Sequence, residues 1–250
     1  FVPLCFRVME EISEQIGKDG SVYRAEYEKL TAVIEKFFWD EEKGAYIDSF
    51  TSGKRNVTRH ANIFAILFSV ADEKKQEEIL KNVLENDEIP AITTPYFNFF
   101  ELDVLCRMGK LTEVLDKIRS YWGGMLDLGA VTFWEEYDPS VPKEEQYDMY
   151  GDHFGKSLCH AWAASPIYFL AKYFAGLDLV NKDGVTYILK PQMQYFTELD
   201  CTLPVGSNGV VRLVWDGEIL EITPNADGGI LELGEQKLSL VRGETRRVKI

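Results

Sequence analysis

Residues 167–189, IYFLAKYFAGLDLVNKDGVTYIL, contain a change from helical to strand-like periodicity. In the first half, apolar residues recur at steps of three and four, as on one face of a helix: Ile167, Leu170, Ala171 and Phe174. Gly176 follows this pattern and is predicted to end the helix. In the second half, residues 185–189 are rich in β-branched and aromatic side chains, which is typical of a strand. The stretch therefore predicts a helical region before Gly176 and a β region after it.

The same helical spacing recurs towards the N-terminus. Apolar positions predict helices over these ranges: 26–39, 56–71, 72–84, 95–108 and 112–122. Thr94 and Pro95 have the residue types of an N-cap and a first helical position, and Gly123 with Gly124 is predicted to close the helix over 112–122. Short connections between about seven helices predict antiparallel hairpins packed on one another.

Towards the C-terminus the sequence predicts short strands over residues 209–215, 218–222 and 230–233. Asp216-Gly217 lies between two of them and predicts a tight hairpin turn. These features indicate a small antiparallel β-sandwich. We therefore expect a mainly α protein with a smaller all-β domain, in which residues 1–176 are helical and residues 177–250 form the β-domain.

The composition excludes some classes of partner. With 46% hydrophobic and 13% aromatic residues the chain of 250 residues can bury a core, and it does not resemble a disordered protein. Its formal net charge of -14 argues against nucleic acid and against an anionic membrane surface as partners. No apolar stretch approaches the length of a membrane span. A neutral ligand such as a sugar is compatible with this charge.

The cysteines and the first residues complete this picture. Four scattered cysteines without a C-x-x-C pair predict neither a zinc site nor a disulfide framework. Cys106 and Cys159 lie in apolar, helical surroundings, and we expect both to be buried free thiols. The chain begins with Phe1 and shows no signal-peptide pattern, so we expect it to start inside a longer protein. The localisation is left open, with the cytoplasm favoured.

The three histidines predict no metal site, and no cofactor is implied. His153 and His160 are too far apart for the H-x-x-x-H pair of zinc enzymes, and His60 is interpreted as a structural residue in an apolar helix. Pro166 leaves two interpretations of His160. If a helix starts near Ser165, His160 lies in the segment that enters it, where a ligand could bind. In a continuous, kinked helix, His160 would be packed and inert, which fits the spacing equally well.

Residues 129–138, GAVTFWEEYD, are the candidate catalytic segment. In an irregular or extended chain, neighbouring Glu135 and Glu136 would point to opposite sides, so one could face inward beside Trp134 while the other meets solvent. A carboxyl group beside a large apolar ring is a common device in acid–base catalysis. However, with 41 acidic residues in the chain, an acidic surface is the default interpretation of the cluster. Trp122, at the end of a predicted helix, could line an opening or cover the core.

Two sequence blocks then resemble a known family. Residues 121–135, YWGGMLDLGAVTFWE, resemble the stretch that leads to the catalytic base in α-L-rhamnosidases of glycoside hydrolase family 78. Residues 154–162, FGKSLCHAW, resemble that family's following block, in which a histidine contacts the sugar. Weaker similarity exists at residues 59–62 and 94–97, and residues 188–192 resemble the opening of the family's C-terminal β-domain. The resemblance covers most of the chain.

The resemblance implies an (α/α)6 barrel with the active site at one end, followed by a β-sandwich. The implied reaction is the hydrolysis of terminal α-L-rhamnosides with inversion, in which one carboxylic acid protonates the leaving oxygen while a second carboxylate takes a proton from water. Glu135 corresponds to this general base and Glu136 to a neighbour, while His160 would contact a sugar hydroxyl. Three tryptophans would form walls of the pocket: Trp134, Trp162 and Trp122.

The sequence departs from the family pattern in one respect. The acidic, Trp- and Gly-containing block that carries the family's general acid has no counterpart here, and about seven helices are too few for a complete barrel. The resemblance therefore implies the C-terminal part of an enzyme, which contains the base but not the acid. We expect this piece to be inactive without the missing N-terminal part of the same enzyme. A non-catalytic module that binds carbohydrate or protein, or another six-hairpin glycosidase, are the alternatives.

Overall fold

The computed structural model describes residues 1–182, 184–206 and 209–249. The predicted β-domain, residues 177–250, thus includes residues 183, 207, 208 and 250, which lie outside the described residues. A helical part is followed by a β part, as the sequence predicts. The chain divides into two compact units. The first unit is Phe1–Met108 with Glu135–Lys156, and the second unit is Gly109–Trp134 with Ser157–Ile250.

The described residues contain these α-helices: α1 Val2–Gln15, α2 Ser21–Phe38, α3 Arg59–Leu67, α4 Glu73–Ile79, α5 Pro95–Arg107, α6 Leu111–Lys117, α7 Gly123–Asp127 and α8 Ser165–Phe169. Helices α4, α6 and α8 continue as π-helical turns over Leu80–Leu84, Ile118–Trp122 and Leu170–Phe174. Short 3-10 turns lie at Lys143–Glu145, Ala161–Ala163 and Met193–Tyr195.

The strands are β1 Trp39–Asp40, β2 Ala45–Tyr46, β3 Leu177–Lys182, β4 Val185–Leu189, β5 Leu199–Pro204, β6 Val210–Trp215, β7 Ile219–Pro224, β8 Gly229–Leu233, β9 Gln236–Leu240 and β10 Arg246–Lys249. Strands β1 and β2 pair with each other. The other strands form two four-stranded sheets, in the orders β10-β7-β6-β5 and β3-β4-β8-β9.

Several helix boundaries confirm the sequence prediction because local chemistry determines them. The carboxylate of Asp72 accepts a hydrogen bond from the backbone N–H of Lys75, which caps α4. Thr94 stands at the N-cap of α5 and Pro95 opens the helix, although the Thr94 side chain makes no capping bond. The predicted helix over 56–71 is shorter, because Thr58 is extended and Ser69 adopts a left-handed backbone with φ +57.

The predicted helix stop at Gly123-Gly124 is wrong. Helix α7 begins at Gly123, directly after the π-helical turn that continues α6. Glycine lowers helix stability by about 1 kcal/mol relative to alanine, a cost that tertiary packing can offset. Here the neighbouring Trp122 and Met125 are both buried, and their packing keeps the chain helical through the glycine pair. The helix ends instead before Gly129, which has φ +90.

In the first unit, α1 and α2 pack against each other as a hairpin, and Arg24 of α2 pairs with Glu10 of α1. Helix α3 packs on α5 and on β2. Asn62 joins α3 to β2: its Oδ1 accepts the N–H of Tyr46 at 2.8 Å, and its Nδ2 donates to the Tyr46 carbonyl at 2.9 Å. The fully buried Asn62 amide thereby satisfies the backbone N–H and C=O of Tyr46 in the two-residue strand β2.

In the second unit, side chains of both four-stranded sheets contribute to one hydrophobic core. Its fully buried members include Tyr187, Leu189, Leu231, Val211, Leu213 and Leu220. The Asp216-Gly217 turn joins β6 to β7 as predicted, with the Asp216 carboxylate accepting from the N–H groups of Glu218 and Ile219.

The prediction of a purely antiparallel β part is wrong for one pair of strands. Strands β4 and β8 pair in parallel, with Tyr187 opposite Gly229. Parallel neighbours need a long crossover connection, which a local turn signal in the sequence does not reveal. Here the chain between β4 and β8 forms β5, β6 and β7 of the other sheet. The remaining strand pairs are antiparallel.

The four cysteines are free thiols. Cys106 is buried as predicted, but the prediction of a buried Cys159 is wrong. Cys159 is exposed because it lies in an irregular segment before the first turn of α8 rather than on a packed helix face. None of the helices in the described part of the chain has the length and apolar character needed to cross a bilayer.

Cysteine labelling tests this distribution of burial. Burial raises the pKa of the Cys106 thiol to about 12, so the reactive thiolate form is scarce at neutral pH. We expect a thiol reagent at pH 8 to label Cys5 and Cys159 rapidly in the native protein. Cys106 should react only after denaturation. Mass spectrometry of digested protein assigns each label, and rapid native labelling of Cys106 would contradict the structure.

A buried ion pair between α3 and α5 provides a stability test. Arg59 Nη1 lies 3.0 Å from Glu101 Oε1, and the two side chains are only 8% and 2% exposed. Glu101→Gln leaves the Arg59 charge buried without its ionic partner, so we expect the free energy of unfolding to fall by about 3–5 kcal/mol. Urea unfolding measures this. The control Glu78→Gln removes the Lys74–Glu78 pair, in which Lys74 is exposed and Glu78 half-buried, and it should cause no comparable change.

Candidate active site

The segment that carries Glu135 is irregular in structure, and its course is set by tertiary hydrogen bonds within the first unit. Glu135 is only 6% exposed. Tyr150 donates a hydrogen bond from its hydroxyl to Glu135 Oε1 at 2.8 Å. A carboxylate that is buried and bonded by a hydroxyl can act as an acceptor of protons at a defined orientation. Glu135 is thus a candidate general base by its surroundings as well as by its sequence context.

Glu136 diverges from Glu135 and has a different partner. Thr93 donates a hydrogen bond from Oγ1 to Glu136 Oε1 at 2.9 Å. The N–H of Tyr137 donates to the Thr93 carbonyl at 3.3 Å, so Thr93 is bonded to two successive residues of the segment. Glu136 is half-buried rather than turned to solvent, because Thr93 holds it. Glu136 therefore anchors the segment to Thr93.

Two residues near these carboxylates were missed in the sequence. Tyr150 is one, and its hydrogen bond to Glu135 raises the pKa of the phenol. Buried Lys156 is the other: burial lowers the pKa of its ammonium group, while the negative charge of Glu136 and other carboxylates opposes this shift. Lys156 lies in residues 154–162, the second of the two blocks that resemble the known family, so the sequence did contain a signal for it. Tyr150 has no comparable signal, since its partner lies elsewhere in the sequence.

In the second unit, the backbone before Glu135 runs beside the His160 segment. The N–H of His160 donates to the Phe133 carbonyl at 2.8 Å, and Thr132 Oγ1 donates to the Leu158 carbonyl. His160 has an extended backbone and precedes α8, which begins at Ser165. The structure therefore decides between the two interpretations of His160: it lies in the segment entering the helix.

His160 and Trp162 form an accessible aromatic pair. Their ring centroids are 4.1 Å apart with an interplanar angle of 35°, and Trp162 is 45% exposed. Trp134, by contrast, is buried. A histidine beside an exposed tryptophan offers polar atoms and an apolar ring face together, which suits a ligand with hydroxyl groups and C–H faces.

Trp122 is a buried structural residue in this fold. Its Nε1 donates to the Ala163 carbonyl at 2.8 Å, which ties the π-helical turn after α6 to the turn Ala161–Ala163. Trp122 also lines an apolar cavity of about 230 Å³ together with Met125, Val131 and Phe133. Its side chain thus covers the core and borders a small opening.

The predicted site residues are distributed over both units. Glu135 belongs to the first unit, and four residues belong to the second: Trp134, His160, Trp162 and Trp122. Within the second unit the structure brings His160 and Trp162 into contact and bonds Trp122 to the same turn. Among the residues that the structure describes, no cluster of three or more His, Cys, Asp or Glu could hold a metal ion.

Comparison with known proteins identifies the relatives of this chain. Residues 1–174 match the family described as the bacterial α-L-rhamnosidase six-hairpin glycosidase domain. A rhamnosidase from Klebsiella oxytoca, solved with rhamnose bound, is 28% identical with a TM-score of 0.59, covering 68% of this chain and 32% of that one. Comparison with curated protein sequences finds no match.

Two further solved structures show the same fold at lower identity. A family 78 rhamnosidase of Bacillus sp. GL1 has a TM-score of 0.73 at 23% identity, covering 93% of this chain and 25% of that one. An α-L-rhamnosidase from Dictyoglumus thermophilum has a TM-score of 0.65 at 20% identity, covering 91% of this chain and 26% of that one. This chain therefore spans about a third or less of the length of these enzymes.

The bond of Trp122 yields a prediction for the second unit. Trp122→Phe keeps a buried ring but removes the donor to the Ala163 carbonyl, so we expect the free energy of unfolding to fall by about 1–3 kcal/mol. Trp162→Phe is the matched control, because that ring is half-exposed, and it should change stability less. Urea unfolding followed by far-UV circular dichroism measures both. Equal losses in the two variants would contradict the structural role of Trp122.

Proposed function

This chain belongs to the bacterial α-L-rhamnosidase six-hairpin glycosidase family, and on that premise we propose that it acts in the hydrolysis of terminal α-L-rhamnosides. The reaction inverts the anomeric carbon and uses two carboxyl groups, about 6.5–9.5 Å apart, with the attacking water between one of them and the sugar. This chain contributes the general base. The bound rhamnose in the Klebsiella oxytoca relative supports a rhamnosyl substrate.

The observation that carries the proposal is the environment of Glu135. It is a buried carboxyl group on an irregular segment, directly after Trp134, and it accepts a hydrogen bond from Tyr150. In the proposed mechanism Glu135 removes a proton from water while the water attacks the anomeric carbon. Glu136 is the neighbour that anchors the segment, since its Oε1 is bonded by Thr93.

His160 and the tryptophans take the sugar-binding roles that the family resemblance assigns to them. His160 has ring nitrogens that can hydrogen-bond a sugar hydroxyl. Trp162 has an exposed ring face suited to the C–H face of a pyranose. Trp134 and Trp122 support the pocket wall from buried positions.

We further propose that the helices of residues 1–176 are part of an (α/α)6 barrel and that residues 177–250 form a β-sandwich domain. The α1–α2 hairpin and the family match over residues 1–174 support the first part. The common core of the two four-stranded sheets supports the second. The general acid then comes from an N-terminal part of the same enzyme, and the chain alone does not hydrolyse glycosides.

Activity of the intact gene product, at its full encoded length, tests this function. On an aryl α-L-rhamnoside, Glu135→Gln should lower kcat by about 10²–10⁴-fold, because a neutral amide cannot take the proton from water. Glu136→Gln keeps an oxygen for the Thr93 bond and should lower kcat less than tenfold. The melting temperature of each variant controls for misfolding.

Three outcomes would contradict the proposal. Unchanged activity of Glu135→Gln would remove Glu135 as the base. Sugar binding without hydrolysis by the intact protein would indicate a binding module. Hydrolysis of glucosides or unsaturated uronides, but not of rhamnosides, would indicate another six-hairpin glycosidase.

A further inference from the structure

A tight turn places Tyr150 beside Glu135 in a strained backbone conformation. The N–H of Met149 donates to the Asp152 carbonyl at 3.0 Å, and the N–H of Asp152 donates to the Met149 carbonyl at 2.9 Å. The two central residues, Tyr150 and Gly151, have φ +56 and +81, which is the pattern of a type I′ turn. Gly, Asn and Asp are favoured at the first of these positions, whereas a bulky residue is strained there. The presence of tyrosine therefore requires an explanation.

Core packing does not explain the tyrosine. Its side chain is 80% exposed, so its ring contributes little buried surface. Its hydroxyl, however, donates to Glu135 Oε1 at 2.8 Å. Backbone strain tends to persist where a functional contact depends on it. The contact that this conformation makes possible is the hydrogen bond to the proposed base.

Further hydrogen bonds and a close backbone approach brace the turn that carries the Tyr150 hydroxyl. The N–H of Gly155 donates to the Asp152 carbonyl, and the N–H of Lys156 donates to the Tyr147 carbonyl. A Cβ atom at Gly155 would come within 2.2 Å of the Met149 carbonyl oxygen, so the chain passes against the turn where only glycine fits. Asp148 Oδ1 and His153 Nδ1 lie 2.5 Å apart across the base of the turn.

We propose that Tyr150 is a positioning residue for Glu135, an inference that rests on the proposed function. By holding one oxygen, the hydroxyl restricts rotation of the carboxylate and so fixes the direction in which its other oxygen faces. Misplacement of a catalytic group by about 1 Å can lower the rate about 10²-fold. A donor also favours the ionised carboxylate, which is the form that accepts a proton from water.

Other charged groups act on Glu135 and remain in every variant described below. Glu136 is the neighbouring carboxylate, and Lys156 supplies a buried positive charge that interacts with both glutamates. Because neither is altered, a change in the pH profile on replacing Tyr150 reports the loss of its hydroxyl.

Kinetics of the intact gene product test the positioning role. Tyr150→Phe removes the hydroxyl and keeps the ring, so kcat should fall about 10- to 100-fold with little change in KM. The acid limb of the pH–rate profile should move to higher pH, because the ionised base loses a hydrogen-bond donor. Tyr150→Asn should show the same kinetic loss with an equal or higher melting temperature, since asparagine tolerates the left-handed backbone.

Ser69→Asn is the matched control for backbone strain. Ser69 is another residue of the first unit with a left-handed backbone, φ +57, and its hydroxyl accepts a hydrogen bond from Arg7 rather than bonding Glu135. Its replacement should leave kcat and the pH profile unchanged. If Tyr150→Phe keeps the parent kcat and acid limb while Glu135→Gln abolishes activity, the positioning role is overturned and the base assignment stands. If Glu135→Gln stays active, the proposed function itself fails.

A spectroscopic measurement on this chain tests the contact without any activity. The Tyr150 resonance is assigned in a ¹³C-tyrosine NMR spectrum by its absence in Tyr150→Phe, and its titration is followed with pH. The pKa of Tyr150 should lie above that of an ordinary tyrosine and should fall in Glu135→Gln, because the charged acceptor is lost. An unchanged titration in Glu135→Gln would overturn the contact.

Discussion

Hydrogen bonds to Thr93 determine the course of the segment on which the candidate chemistry depends. Residues 135–138 belong to neither a helix nor a sheet, so no repeating ladder of backbone bonds holds them. Thr93 instead accepts from the N–H of Tyr137 and donates to the carboxylate of Glu136. With Glu136 held in this way, alternation along the chain leaves Glu135 on another side, where Tyr150 bonds it. Glu136 thus anchors the segment, and Glu135 is the carboxylate left for the candidate chemistry.

Local chemistry made much of the fold predictable. The change from helix to strand near Gly176, the start of α4 at Asp72 and the turn at Asp216-Gly217 each depend on a few neighbouring residues, and the structure has all three. Features that depend on distant residues were not predictable. The helix through Gly123-Gly124 persists because Trp122 and Met125 are buried by other parts of the chain, and the parallel pairing of β4 with β8 joins segments separated by three strands.

The candidate site shows the same division. The divergence of Glu135 and Glu136 follows from the extended propensity of their segment, and the start of α8 follows from Ser165-Pro166. The partner of Glu135 could not be inferred in this way. Tyr150 stands in a stretch with no helical or strand periodicity. A left-handed turn brings its hydroxyl to Glu135, fifteen positions earlier in the chain. Neither the turn nor the bond leaves a periodic pattern.

The parallel pairing of β4 and β8 also has a consequence for biosynthesis. As the chain leaves the ribosome, the β3–β4 hairpin can form early, but the free edge of β4 has to wait for Gly229–Leu233. Strands β5, β6 and β7 emerge in the interval and can pair with one another first. An unpaired, largely apolar strand edge is a site of intermolecular association. Nascent chains truncated before β8 would therefore expose the association-prone edge of β4. Formation of the β8–β9 hairpin, which is synthesised later, would cover this edge.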